Sequence, residues 1–340
     1  MKNILGILLC LAVSIPAWLL GAALPLVGGP IVAILAGMFI SLAAPGLVKM
    51  RLVKHWEFSP GLKFTSKKIL QYSIIFLGFE MNLSNLLAAG RASLLVMCAT
   101  FALVFVAAFF LGRALRLSSN TTTLIGVGTA ICGGSAIAAV APVIRAEDED
   151  VTKAISTIFL FNIIAVFIFP GLGRAMGMDD SAFGIWAGTA INDTSSVVAA
   201  GTAWSVETGN NIALNYATIV KLTRTLFIVP IALFLAARMT RKQKKDGAET
   251  GSFSLAKVFP WFILIFVGAV LAQTFFNIPA NITAILVTLG KFGIVMAMSA
   301  IGLNTNLKAL FSSGIKPIAL GCACWLTISL GALAALRFLA

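Results

Sequence analysis

The chain has 340 residues, 59% hydrophobic and 11% charged, with a mean hydropathy of +1.01 and a net charge of +13. Soluble domains carry about 25% charged residues, so composition excludes a soluble globular protein and leaves no room for a separate soluble domain. The positive balance points to loops that set membrane orientation, not to nucleic acid.

A spanning helix needs about 20 mostly apolar residues. In chain order, apolar segments lie at roughly 4–26, 30–48, 66–82, 92–113, 122–144, 152–171, 182–204, 211–237, 256–275, 281–303 and 315–338. The expectation is therefore an all-α polytopic membrane protein with about eleven transmembrane helices. A single transmembrane domain is expected over 1–340, with a cytoplasmic loop at 238–256. Lys2 before an apolar run looks like the start of a signal peptide, but that run continues to Leu26 and reads as the first spanning helix.

With the N-terminus inside, the inner loops hold Lys49, Arg51, Lys54, Lys63, Lys67, Lys68, Arg113, Arg116, Arg174, the run from Arg238 to Lys257, Lys308 and Lys316. The outer loops hold only Arg91, Arg145 and Lys153, with Arg337 at the outer C-terminal end. The asymmetry places the N-terminus in the cytoplasm and the C-terminus outside. Cys10, Cys98, Cys132, Cys322 and Cys324 lie in apolar segments, where cysteine acts as a small filler. With His55 the only histidine, no metal-ligand spacing exists, and no cofactor is expected.

Two stretches interrupt their own helices. "GTAICGGSAIAAVAPVI" (128–144) carries Gly133, Gly134 and Ser135 near its middle. "GTAINDTSSVVAAG" (188–201) opens with the same four letters and carries Asn192 and Asp193 at the matching place. Adjacent glycines invite unwinding, since each costs about 1 kcal/mol against alanine in a helix. Freed backbone groups in a bilayer must be satisfied by protein or by cavity water. A helix restarting after a break presents unpaired N–H groups and partial positive charge, which suits an anion. Gly133, Gly134, Ser135 and Ala136 are thus expected to hold a small oxyanion, with Thr129 and the Ser135 hydroxyl helping and Cys132 at the break. Close helix packing through small residues explains the same glycines.

Asp193 and Asn192, with Thr194, Ser195 and Ser196 beside them, sit near the middle of an expected span, where a charge is a functional-site candidate by default. A purely structural ion pair is the other reading. In "NYATIVKLTRTLFIVP" (215–230), Lys221 and Arg224 are three apart and share one helical face. They are expected to bind an anion's oxygens, Arg224 through its fork, with Asp193 balancing them when the site is empty; snorkelling to the interface is the alternative. Gln273, Lys291 and Asn162 are ambiguous, and the acidic run at 147–150 reads as a solvated loop.

There is also an internal echo. "FLGFEMNLSNLLAAG" (76–90) lies over "AIGLNTNLKALFSSG" (300–314) without gaps, matching Gly78, Asn82, Leu83, Leu86 and Gly90 to Gly302, Asn306, Leu307, Leu310 and Gly314. An odd number of helices separates the copies, as an inverted repeat requires. The two "GTAI" segments fit this pattern badly, because the helix count runs both in the same direction. Either one of them re-enters without crossing, or they are not repeat partners.

"GTAICGGSAIAAVAPVI", "AGTAINDTSSVVAAG" and "IVKLTRTLFIVP" together resemble the sulfate exporter family of bacterial inner-membrane proteins, over essentially the whole chain. That family is distantly similar to the bile acid:sodium symporter and sodium/proton antiporter folds. The resemblance implies secondary transport, a core domain with interrupted helices crossing at the site, and a homodimer by fold analogy. Many members carry a histidine before the acidic residue of the second motif, where this chain has Asn192, which cannot titrate near neutral pH.

The expected function is secondary active transport, in the export direction, of a small anion such as sulfate, sulfite or an organic sulfonate or carboxylate. The site would comprise Thr129, Cys132, Gly133, Gly134, Ser135, Asn192, Asp193, Thr194, Ser195, Lys221 and Arg224. The coupling ion would be H⁺ or Na⁺, the latter near Asp193. Two alternatives stay open: a cation/proton antiporter using Asp193, and a membrane anion sensor that does not transport. No nucleophile–base pair or phosphate loop points to an enzyme.

Overall fold

The computed structural model describes residues 4–23, 28–49, 55–235, 237, 261–276, 278–305 and 314–339, and every regular element among them is helical. Among the described residues six stretches are long and apolar enough to cross a membrane: Ile4–Ala23, Val96–Ala114, Asp148–Ala175, Ile212–Leu235, Ala280–Asn304 and Ile315–Phe338. Gly29–Ala43 and Trp261–Phe276 are shorter apolar helices. The expected cytoplasmic loop at 238–256 and residues 306–313 of the second echo copy lie outside the described residues.

Helices α1 (Ile4–Ala23) and α2 (Gly28–Lys49) come first. Helix α3 (His55–Phe64) runs through a π-helical turn, Thr65–Ile69, into α4 (Leu70–Gly78), so the helix expected from residue 66 starts at His55. Helix α5 (Leu83–Ala114) also starts earlier than its hydropathy predicts. The Thr274 hydroxyl accepts a bond from Leu83 N–H at 2.9 Å, so the first turn has a partner beyond the apolar run.

Helices α1–α4 pack with α12 (Trp261–Phe276) and α13 (Ala280–Asn304) as one body. The crossing of α2 and α13 depends on glycine. A Cβ at Gly37 would lie 2.6 Å from the Ser299 carbonyl, and one at Gly302 would lie 2.3 Å from that of Ile34. Such small-residue contacts let helix backbones approach in a bilayer. The second body contains α5 and all elements from α6 to α11, with α14 (Ile315–Leu339) packed along α5.

Within this second body the two interrupted segments are hairpins, not spans. Helix α6 (Ser119–Ala130) stops, turns through 131–133, and resumes as α7 (Gly134–Val140). The base is fastened by Asp150, whose Oδ1 accepts from the Ser118 hydroxyl at 2.6 Å and from the Thr121 hydroxyl. Gly128 packs on Ile158, and Gly133 faces Ile158 and Asn162, so α6 runs parallel to α8 (Asp148–Ala175). The chain between them must therefore return to where α6 began. The acidic run expected as a loop is instead the first turn of α8, where carboxylates favour the helix N-terminus.

The second hairpin is built the same way. Helix α9 (Asp180–Ala190) breaks at 191–193 and resumes as α10 (Thr194–Thr208). Gly184 packs on Ala213 and Tyr216, and Gly188 on Ala217 and Val220, so α9 runs parallel to α11 (Ile212–Leu226). Gly201 packs on Leu214 and Ala217, and the Ser205 hydroxyl accepts from Leu214 N–H, so α10 runs back along α11. At the base, Asp180 accepts from Trp204 Nε1 at 2.6 Å and Asn210 Nδ2 at 2.7 Å, and Phe183 stacks on Trp204 at 4.0 Å. Arg174, at the far end of α8, pairs with Glu207 of α10.

Helix α8 thus carries the chain from the base of the first hairpin to the base of the second. The hairpins enter from opposite ends. The same-direction reading of the two "GTAI" segments is corrected: α6 and α9 point toward each other, and both segments re-enter. The physical reason is length. Arms of 12, 7, 11 and 15 residues are each shorter than a crossing.

Asp179 caps α9, its Oδ1 accepting from Ala182 N–H at 2.8 Å and the Ser181 hydroxyl at 2.7 Å. The Ala182 amide, then the Ser181 hydroxyl, holds the carboxyl below its ordinary 3.8. A depressed native value means stability present above the unfolded value and lost as pH falls through the native one. Asp179→Ala is expected to cost about 1 kcal/mol at neutral pH. That deficit should shrink below pH about 4 in urea unfolding of the detergent-solubilised protein.

Candidate functional site

The hairpin tips meet at the middle of α8. A Cβ at Gly133 would lie 3.6 Å from both Asn162 Nδ2 and Asp193 Cα, which places the first tip against the second. Asn162 Oδ1 accepts from the backbone N–H groups of Asn192 and Asp193, each at 3.2 Å, and so holds the second tip to α8.

Lys221 and Arg224 reach this junction from α11, and both are 0% exposed. Their partners are backbone carbonyls. Lys221 Nζ donates to Ile131 O at 2.8 Å and to Ile191 O at 3.1 Å. Arg224 Nε donates to Ala130 O at 2.6 Å, its Nη1 to Thr189 O and its Nη2 to Thr129 O. Its guanidinium also lies 5.6 Å from the Phe101 ring centre. These carbonyls close α6 and α9, where the last turn lacks intrahelical partners and carries partial negative charge. The two cations therefore bridge the C-terminal ends of both first arms. Most of the donors expected to meet an anion's oxygens are engaged here by these helix ends.

Asp193 caps α10, its Oδ2 accepting from Ser195 N–H at 2.9 Å and from the Ser195 hydroxyl. Among the described residues no ion pair joins it to Lys221 or Arg224. Thr194 and Asp193 are half-buried, while Ser195 and Ser196 are buried.

On the first tip, Gly133 adopts φ +66° and ψ −131°, and its own N–H bonds to Gly128 O at 2.9 Å. Gly134 is half-buried with no heavy atom within 4 Å of where a Cβ would stand, and Ser135 is exposed. Cys132 is buried in the apolar cluster that also holds Ile131, Ile137 and Ile158. Thr129 Oγ1 is buried without a partner among the described residues, as is Oγ1 of Thr189, its counterpart on α9.

The structure thus gathers every residue of the expected site into one junction and sorts it by accessibility. Gly134, Ser135, Asp193 and Thr194 are reachable; Thr129, Cys132, Gly133, Asn192, Ser195, Lys221 and Arg224 lie behind them. Sequence reasoning left Asn162 open, read Asp150 as part of a solvated loop, and passed over Asp180 and Trp204. A lone amide within "IFLFNIIAVF" was the one signal for Asn162.

Helical hairpins with neutralised ends, set in an apolar helical frame, define a multi-pass integral membrane protein. The chain belongs to the family described as Conserved hypothetical protein 698, whose profile matches residues 5–321. It is 48% identical over 337 residues to a UPF0324 membrane protein of Streptococcus pyogenes serotype M18, covering 98% of this chain and 96% of that one. A UPF0324 membrane protein of Fusobacterium nucleatum subsp. nucleatum is 44% identical over 344 residues, covering 97% and 96%. One of Streptococcus mutans serotype c is 46% identical over 334 residues, covering 97% and 95%. No solved structure matches. These descriptions establish a membrane family and name no substrate.

Proposed function

We propose that the chain is a secondary active transporter of a small anion in the bacterial inner membrane. The observation that carries this reading is the charge balance at the tip junction: two fully buried cations, Lys221 and Arg224, against one half-buried carboxylate, Asp193. Buried charge is costly without compensation; the two helix C-terminal ends offer about half a negative charge each and Asp193 is engaged in capping α10, so a small anion would complete the balance. Sulfate, sulfite, a sulfonate or a small carboxylate fits that chemistry, entering beside Gly134, Ser135 and Thr194.

The architecture supports transport. The units α6–α7–α8 and α9–α10–α11 each pair a hairpin with a long helix, enter from opposite ends, and align at an offset of 60 residues through Gly128 and Gly188. That is an inverted repeat with its interruptions at mid-depth, as in secondary transporters. Counting both hairpins as re-entrant leaves nine crossings in place of about eleven. The N-terminus remains cytoplasmic and the C-terminus periplasmic. Arg145 and Lys153 then move to the inner side and Arg174 to the outer, which sharpens the basic asymmetry.

A second reading has its own observation. Among the described residues both hydrogen bonds to the Asp193 carboxylate reach Oδ2, and the group is partly accessible, which supports a role in taking up H⁺ or Na⁺. A cation/proton antiporter would use it as the carrier site.

The test is a thermal-shift panel on purified protein with sulfate, sulfite, methanesulfonate, acetate, Na⁺ and Li⁺ across pH. A ligand at one hundred times its Kd stabilises by about 2.7 kcal/mol. An anion is expected to raise Tm in the wild type and in Asp193→Asn, with proteoliposome flux following the same anion. A shift from Na⁺ or Li⁺ alone, absent in Asp193→Asn, would replace the anion reading with the antiporter.

A further inference from the structure

Asn162 is 2% exposed and touches both tips. Its Oδ1 accepts from two backbone N–H groups, Asn192 and Asp193. A backbone N–H only donates, so these bonds fix which end of the amide is oxygen. Nδ2 is thereby set on the side of Gly133, 3.6 Å from where a Cβ would stand, and it is buried without an acceptor among the described residues. Next to it, Asn192 is 0% exposed, with neither end of its carboxamide partnered among the described residues. Buried polar side chains are nearly always hydrogen-bonded, so two such amides at one junction need an explanation.

We infer that Asn162 is a ligand-binding residue, donating from Nδ2 to an acceptor oxygen of the bound anion, while Lys221 and Arg224 act on that anion through charge alone. This rests on the anion reading above. The division of roles follows from the bonding. The cations are held by helix-end carbonyls, whereas the Asn162 donor is preoriented and free of intramolecular claims. One amide then contacts the second tip through its oxygen and the ligand through its nitrogen, so occupancy and tip geometry are linked through a single side chain.

Asn162→Asp tests this with sulfate and methanesulfonate as probes. The variant keeps an oxygen for the two tip amides and exchanges the Nδ2 donor for an acceptor. When ionised it repels the anion; when protonated its O–H restores a donor. Sulfate affinity is expected to fall about tenfold or more at pH 8, the scale of losing a bond to a charged group, and to recover toward the wild type as pH drops. Asp193 of the second tip, Cys132 of the first, and Lys221 and Arg224 of α11 face the same junction. They are present in the wild type, so the ratio of variant to wild-type affinity isolates position 162.

An unchanged ratio at every pH overturns the inference while wild-type binding keeps the anion reading intact. A loss that does not recover at low pH assigns Asn162 to holding the tip alone and also overturns it. If the wild type answers only to cations, the anion reading fails and takes this inference with it. Should Asn162→Asp not yield folded protein, Asn162→Ser, too short to place a donor at the same point, is expected to lose sulfate affinity at all pH values. Retained affinity there is equally fatal.

Discussion

Arg224→Ala is expected to be among the most destabilising single changes in this chain, by roughly 3–5 kcal/mol, through the fold and not only through transport. Arg224 bonds three carbonyls that close two different helices: Thr129 and Ala130 on α6 and Thr189 on α9. Hydrogen bonds to charged groups contribute about 1.5–3 kcal/mol each, and buried acceptors left bare cost about 1–3 kcal/mol. The three are not additive, and water entering the vacated space would recover part of the loss. Arg224→Lys keeps the charge but lacks the planar fork that spans three acceptors, so an intermediate loss is expected. Denaturant unfolding in detergent measures the size. Hydrogen exchange measures the place, with faster exchange expected at residues 129–133 and 189–193 together. Stability within 1 kcal/mol of the wild type would show that the guanidinium is not what closes the helix ends. This expectation also bears on transport assays: loss of flux in Arg224→Ala follows from either role, so flux alone does not identify an anion ligand.

The same bonds constrain motion. Lys221 and Arg224 each hold one carbonyl or more from both hairpins, so displacing one tip from the other breaks several charge-assisted bonds at once. The two tips and the C-terminal turns of α11 therefore move as a unit on any rapid timescale. The face of this unit along α10 is lined by Val198, Ala199 and Ala203, packed into the cluster that holds Ala33, Ile34 and Met298 of the other body. Among the described residues two polar links at the edge join the bodies, from Asn211 Nδ2 to Glu80 Oε1 and from Leu83 N–H to the Thr274 hydroxyl. Apolar contact along most of the boundary lets the bodies shift without stranding buried polar groups.

Much of the site was legible in the residue types. Gly133–Gly134 and Asn192–Asp193 announce breaks because neither pair suits a helix interior, and breaks occur at both. Hydropathy did not reveal that each broken segment doubles back. A re-entrant hairpin of two short apolar arms has the same composition as one span, and the return is marked by long-range partners such as Asp180 with Trp204. The burial of Lys221 and Arg224 was also legible, from the apolar residues around them. Their partners were not, because every residue carries a carbonyl and a helix end becomes an acceptor only where a fold brings it near a cation. The "GTAI" echo looked inconsistent only while both copies were read as crossings. Once both re-enter, an offset of 60 residues is what opposed hairpins joined by one long helix should show.

Gly133→Ala should separate the geometry of the first tip from its composition. At φ +66° and ψ −131°, Gly133 occupies backbone space that residues with a Cβ rarely adopt. Space is not the obstacle, since a Cβ would make ordinary contacts at 3.4 Å with Ile158 and 3.6 Å with Asn162. The cost is backbone strain, about 1–3 kcal/mol, and relief would require the 131–133 turn to rotate. Rotation would drag the Ile131 and Ala130 carbonyls off Lys221 and Arg224 and move the backbone that faces Asn162 Nδ2. Loss of anion response in the thermal-shift panel is therefore expected together with the lower Tm. Gly134→Ala is the control one residue away. It lies in the first turn of α7 with nothing within 4 Å of its Cβ position, so stability should hold or rise by up to about 1 kcal/mol. Any fall in sulfate affinity in that variant would then come from a methyl group standing where the anion approaches. Equal stability of Gly133→Ala and the wild type would mean that the tip does not require a left-handed residue. The registry between the break and the two cations would then have another origin.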